Sequence, residues 1–202
     1  MSLLNVNKID PATGTALEIG TSGDTITVPS GATFNVAGTL QSGGAALGNN
    51  TPCFGAKATS NQTGLTSGGW TKIQFDTAIF NVGSGYDTTN DKFVVPAGEG
   101  GKYFFTASAK INAGSYNLMG TGIRFTVGGS AAAGLEEIAF LYNGSGATAY
   151  SEGKNCNGIL NLSAADEVEV YAYYQHTAGT AGTITGVTSE IDTFFFGYKL
   201  VE

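Results

Sequence analysis

The side chains of this sequence that could do chemistry are few and poorly spaced for it. His176 is the only histidine, and it sits in Tyr173-Tyr174-Gln175-His176-Thr177, where a strand pattern runs into a glycine-rich loop. A histidine-rich metal cluster is therefore excluded, and an exposed or hydrogen-bonded strand-end residue is its ordinary role. Paired carboxylates, the groups glycoside hydrolysis needs, occur at Glu136-Glu137 and in Asp166-Glu167-Val168-Glu169. Adjacent strand residues point to opposite faces, so such neighbours do not converge on one substrate. Asp87, Asn90 and Asp91 make the loop Tyr86-Asp87-Thr88-Thr89-Asn90-Asp91-Lys92 oxygen-rich, which makes them weak calcium candidates. That loop lacks the central glycine and terminal glutamate of an EF-hand, and Asx-type turns are the commoner use of such residues. The glycine-rich stretches hold no Gly-Lys-Ser/Thr phosphate loop. The expectation is a protein with no catalytic residues, no cofactor and no metal.

Composition points the same way. With 31 glycines, 12 phenylalanines and 9 tyrosines among 202 residues, and only 12% charged residues, the chain reads as a turn-rich all-β protein. Nine basic residues stand against 16 acidic ones, a net charge of −7, and no basic cluster offers a track for a phosphate backbone. Nucleic acid is thus an unsuitable partner. The opening MSLLNVNKID has no basic region followed by an apolar core, and no segment approaches a membrane span, so neither export nor membrane insertion is expected. Asn61, Asn143 and Asn161 each open a glycosylation tripeptide; without an export signal these read as turn and strand polarity.

The elements that must position any site are strands. Candidates lie near 53–58, 70–76, 92–95, 102–111, 122–127, 136–142, 156–162, 167–175 and 193–201, at the spacing of a sandwich. Asn143-Gly144 and Asn157-Gly158 read as turn or bulge signals, and Ala131-Ala132-Ala133, bracketed by glycines, reads as a loop. Tyr171 and Tyr173 share one strand face, whereas Tyr174 shares the other with Val168 and Val170 and belongs to a core. Tyr142 and Tyr150 flank the loop Asn143-Gly144-Ser145-Gly146, where recognition and packing are equally open.

A spaced phrase runs through the segment 70–106: Phe75-Asp76, Asn81, Gly85-Tyr86-Asp87, Lys92-Phe93, Pro96, then glycine before Tyr103-Phe104-Phe105. It resembles the first half of a C1q-like globular domain, a jelly-roll sandwich of the C1q and tumour-necrosis-factor superfamily. Leu160-Asn161-Leu162-Ser163-Ala164-Ala165-Asp166-Glu167-Val168 is similar to that family's leucine-rich strand and following turn, with Ala165 where glycine is usual. Thr193-Phe194-Phe195-Phe196-Gly197-Tyr198-Lys199-Leu200 is similar to its closing Phe-x-Gly-x-x-Leu strand. The resemblance spans about Cys53 to Glu202. It places Cys53 on the first strand and Cys156 further across the same sheet, which implies free, buried thiols in place of a disulfide.

Upstream, LEIGTSGDTITVPSGATFNVAGTLQSGG alternates Ile26 and Val28, then Phe34 and Val36, with polar residues. Runs this short cannot bury an apolar face alone and need rungs or identical chains beside them. The segment resembles the glycine-punctuated shafts of bacteriophage tail fibres; a flexible linker is the alternative. The expected organisation is an attachment segment and β-rich shaft over 1–50 and a jelly-roll head over 51–202. In the closing strand, Phe194, Phe196, Tyr198 and Leu200 share one side and Phe195 the other, and Tyr103-Phe104-Phe105 is apolar on both. A lone antiparallel sheet keeps one face wet, so either loops cover the second face or a homotrimer does, as the resemblance implies. Tyr103, Phe104 and Phe195 are the trimer-interface candidates.

Together these readings describe a bacteriophage virion fibre protein, assembled in the host cytoplasm and carried on the particle surface. Its N-terminal segment would dock on other virion structural proteins, and its head would bind a host surface glycan or protein. Tyr142, Asn143, Tyr150 and His176 are the receptor-binding candidates. An architectural or capsid-decorating fibre is the alternative, ahead of a polysaccharide hydrolase or a bacterial C1q-like surface protein.

Overall fold

The computed structural model describes residues 9, 13–15, 17, 19–38, 41–42, 45–46, 50–112, 118–140, 151–176, 179 and 181–200. The chain divides into two units, Met1–Leu47 and Gly48–Glu202.

In the first unit, a small antiparallel pair joins β1 (Gln41–Ser42) and β2 (Ala45–Ala46). Turns at Thr21–Asp24 and Pro29–Ala32 are closed by backbone bonds of 3.0 Å each. The alternating runs around Ile26 and Phe34 do not form hydrogen-bonded strands in the single chain. A strand needs a ladder partner, and here none of the described residues supplies one. Ile26 and Phe34 stay about two-thirds exposed, at 66% and 67%.

The second unit is a two-sheet β-sandwich with no helix among its described residues. Its principal strands are β3 (Cys53–Lys57), β5 (Gly69–Lys72), β9 (Gly101–Asn112), β10 (Leu118–Val127), β11 (Ser130–Phe140), β12 (Ser151–Leu162), β13 (Glu167–His176) and β15 (Phe194–Lys199). Pairing nests these from the outside inward. The first strand pairs with the last (β3 with β15), β5 with β13, β9 with β12, and β10 with β11, all antiparallel. That nesting, folded over so that β3-β15-β9-β12 faces β5-β13-β10-β11, is a jelly roll. Shorter strands extend the sheets: β4 (Gln62–Leu65), β6 (Thr77–Val82) and β14 (Gly182–Ile184) the first, β7 (Tyr86–Asp87) and β8 (Lys92–Val94) the second.

Period-two alternation explains the core. In β13 the even positions Val168, Val170, Ala172 and Tyr174 are fully buried, and in β9 Tyr103, Phe105, Ala107, Ala109 and Ile111 are as well. Rings dominate the space between the sheets, with Phe54, Phe75, Phe93, Phe125 and Phe195 all at 1% exposure or less.

Two turn expectations are corrected. Ala131–Ala133 lie inside β11, and Asn157-Gly158 lie inside β12. Gly158 stands there because any Cβ would overlap the Leu135 side chain from β11; glycine serves close approach between the sheets, not chain reversal. The turn before β13 does form as expected: Asp166 accepts the Ser163 amide at 2.8 Å and donates its own amide to the Ser163 carbonyl at 3.1 Å. Ala165 takes φ +70° in it, a conformation that costs an L-residue about 1–2 kcal/mol. Ala165→Gly, whose extra unfolded-state freedom offsets part of that strain, is expected to stabilise the protein by about 0.5–1 kcal/mol. An unchanged or lower denaturation midpoint would contradict this.

Candidate functional site

Register along β15 separates two kinds of aromatic residue. Phe195 points inward and is fully buried; Phe194, Phe196 and Tyr198 point outward. On β9 the same parity buries Tyr103 and turns Phe104 out, where its ring lies 5.5 Å from that of Tyr198. Of the three trimer-interface candidates only Phe104 therefore reaches a surface. Tyr103 and Phe195 are corrected to core residues, because both face the opposite sheet. The Tyr103 hydroxyl donates to the Glu99 carbonyl, and burial, reinforced by the Glu99 charge, pushes its phenol up to about 12.

The residues that do line the outer face of this sheet were not all singled out from the sequence. Phe80 of β6 stacks with Phe196 at 6.4 Å, and Phe196 with Phe194 at 4.8 Å. Gly55, between Phe80 and Phe196 in register, has no side chain because both rings occupy the space a Cβ would take. An apolar groove of about 360 Å³ runs past Cys53, Phe80, Phe196 and Tyr198. Ile159 on β12 continues the apolar surface at 57% exposure. Cys53 thus borders an exposed groove, a correction to its expected burial, while Cys156 is buried; both are free thiols. Two strands separate them, a gap of about 14 Å that a disulfide cannot bridge.

The outer face of the second sheet is of another character. Trp70, Arg124, Tyr171, Tyr173 and Gln175 emerge there half-buried, with Lys72 hydrogen-bonded to Glu169. The alternation of Tyr171 and Tyr173 was legible in the sequence; their juxtaposition with Trp70 and Arg124 depends on a cross-strand register that it does not carry.

Strand direction sets the two ends of the sandwich. Pro52 lies beside Lys199, whose amide it accepts at 3.0 Å, with Gly101 and Leu162 at the same end. Asn112, Leu118, Phe140, Ser151 and His176 end or begin their strands at the other. Tyr142, Asn143 and Tyr150 lie outside the described residues, between β11 and β12 in the sequence. His176 is there but buried, at 4% exposure, and stacks on Tyr174. Ser67 fastens its backbone on both sides, accepting from its amide at 2.9 Å and donating to its carbonyl at 3.0 Å. As a surface-loop contact, His176 is corrected to a packed strand end. Beneath the same end the interior turns polar: Thr121 donates to Glu152 at 2.9 Å, and Lys154 pairs with that carboxylate at 3.2 Å.

In the 86–92 loop, Asp87 accepts from the amides of Thr89 and Asn90 and from the Asn90 side chain. These bonds hold its carboxyl below the usual range, the Asn90 side chain contributing most. Asp91 instead accepts the Phe75 amide at 2.9 Å, and burial raises its carboxyl. The loop is an Asx-turned connection, and no group of three or more His, Cys, Asp or Glu among the described residues could hold a metal. Glu167 and Glu169 are engaged by Lys92 and Lys72.

No family model and no curated protein matches the chain. Among solved structures, the globular domain of zebrafish complement 1qA protein aligns at a TM-score of 0.48 and 12% identity, over 74% of this chain and 98% of that one.

Because neighbours on β15 face opposite ways, two substitutions should separate stability from association. Phe195→Ala is expected to cost about 3–5 kcal/mol of stability, read by denaturant unfolding. Phe196→Asp is expected to leave the fold intact and to weaken self-association, read by sedimentation. Equal destabilisation by both would refute the assignment of faces.

Proposed function

We propose that this protein is a trimeric virion fibre of a bacteriophage, whose jelly-roll head contacts the host surface. The observation that carries this reading is the polarity of the head. Chain entry at Pro52 is at one end of the sandwich, and the connections 113–117 and 141–150 leave from strand ends at the other. A fibre held by its N-terminal segment would present that far end to a host. Connections on a rigid sandwich are also where binding residues can vary without disturbing the core.

The apolar face of Phe80, Phe104, Phe196 and Tyr198 supports the trimer. Burying a fully exposed Phe is worth roughly 1.5–3 kcal/mol; Phe80 and Tyr198 keep 46% and 37% of their surface exposed, so covering what remains of the four rings contributes a fraction of that each and still favours association. Alternating Ile26, Val28, Phe34 and Val36, exposed in the single chain, would find ladder partners in the same assembly. Avidity from three heads would then raise weak single-site contacts to useful binding. The same apolar face also suits a fibre that decorates the particle and binds no receptor, which is the second reading.

Alanine at Tyr142 and Tyr150 tests the choice. Particles carrying both substitutions should incorporate the fibre normally and adsorb to host cells several-fold more slowly. Unchanged adsorption would favour the decorating fibre. A stable monomer at micromolar concentration in a sedimentation equilibrium run would remove the trimer.

A further inference from the structure

The outer face of the second sheet has the composition of a recognition surface rather than of a plain wet sheet. Register sets Tyr173 opposite both Trp70 on β5 and Gly122 on β10, and Tyr171 opposite Lys72 and Arg124. The Trp70 and Tyr173 rings lie 5.4 Å apart, tilted by 53°. The Arg124 guanidinium sits 4.1 Å from the centre of the indole and 6.0 Å from that of Tyr171. Polar groups around these rings are fixed in place. The Tyr173 hydroxyl donates to Gln175 Oε1 at 2.8 Å, and the Tyr171 hydroxyl to Glu169 Oε2 at 3.1 Å. Partial burial and the Glu169 charge raise the Tyr171 phenol, which keeps it a donor. Thr126, opposite Glu169, is 1% exposed, and its hydroxyl has no partner.

We propose that this face is a saccharide-binding platform. The proposal rests on the host-attachment reading and names the ligand class for it. Two observations select a sugar over other partners. Flat rings next to amide, carboxylate, guanidinium and hydroxyl groups match a ligand whose ring carries both C–H faces and hydroxyls. The lysines are already engaged, Lys72 by Glu169 and Lys92 by Glu167, which leaves little charge for a polyanion. The groups also stand on paired strands, β13 and β10 inside the sheet and β5 at its edge, which hold them more rigidly than loops would.

Trp70 is the only tryptophan in the chain, so its emission reports on this face alone. The experiment titrates the full chain with soluble oligosaccharides built from glucose, galactose, mannose or N-acetylglucosamine, each up to about 10 mM, above the weak constants of a single shallow site. Expected is a saturable change in emission with at least one of them, weakened about tenfold in Tyr173→Ala and again in Gln175→Ala. Both variants should keep the far-ultraviolet circular dichroism of the parent. Silence across the whole set, or a response undiminished in both variants, overturns the platform. So does an emission change with solubilised host surface protein alone, which would make the partner a protein. If cells still adsorb the chain while the emission is silent, host attachment stands and only the platform falls. If adsorption fails while a sugar binds as described, the platform stands and the attachment reading falls.

Discussion

Phe195 is the contact on which the sandwich turns. Its ring lies 4.8 Å from Phe54, 5.8 Å from Phe75, Phe105 and Phe125, and 6.1 Å from Tyr86. Those partners come from β3, the connection between β5 and β6, the short strand β7, the long central strand β9 of one sheet and β10 of the other. Because β15 is the last strand and slots between β3 and β9, this cluster closes only when the C-terminal segment docks. Non-local pairings of this kind must offset loop closure before they stabilise anything. A core built from rings that each bury large area is one way to meet that cost.

The same strand creates the opposite condition on its other side. With Phe195 committed inward, alternation forces Phe194, Phe196 and Tyr198 out, and Phe80 and Phe104 join them. The two outer faces of a sandwich point in opposite directions, so contact between one face and the opposite face of the next copy would propagate as an open stack. A closed three-fold ring requires the two contacting patches to meet at an angle. In the proposed trimer the apolar face therefore packs on a sandwich edge. Strand β12 forms an edge of the first sheet and is suited to that part.

Much of the fold was readable in the sequence, and the limits are physical. Nine strands were found from the sequence, because long runs such as 102–111 and 167–175 alternate with period two, although β11 and β12 begin six and five residues before their expected starts. The short strands β4, β6, β7 and β14 were missed, since two to six residues give too little pattern to register. Gly158 misled because a glycine dictated by a neighbouring Leu135 looks the same, in sequence, as one in a turn. Parity was correctly read in β15, yet which parity faces inward is decided by the opposite sheet. Phe195 and Tyr103 were assigned outward for that reason. His176 was misplaced because its backbone is fastened by Ser67, 109 residues away, a contact that the local sequence does not show. The Trp70 and Arg124 pairing lay beyond reach on the same grounds, since it joins two strands through a third.

The two outer faces then divide the demands placed on a small head. An apolar surface is adhesive and stable only when covered, so in the proposed trimer it would serve assembly and be unavailable for a reversible contact. A face whose tyrosine hydroxyls and lysine are hydrogen-bonded to neighbouring side chains can remain in water and still exchange those contacts for a polar ligand's. Directing the phenylalanines to β15 and β6, and the tryptophan, tyrosines and arginine to β5, β13 and β10, keeps the two from competing. Exchanging the sets would leave an oily exterior and a hydrated, weak interface. In the proposed fibre that segregation, more than any single side chain, would make assembly and recognition compatible on one sandwich.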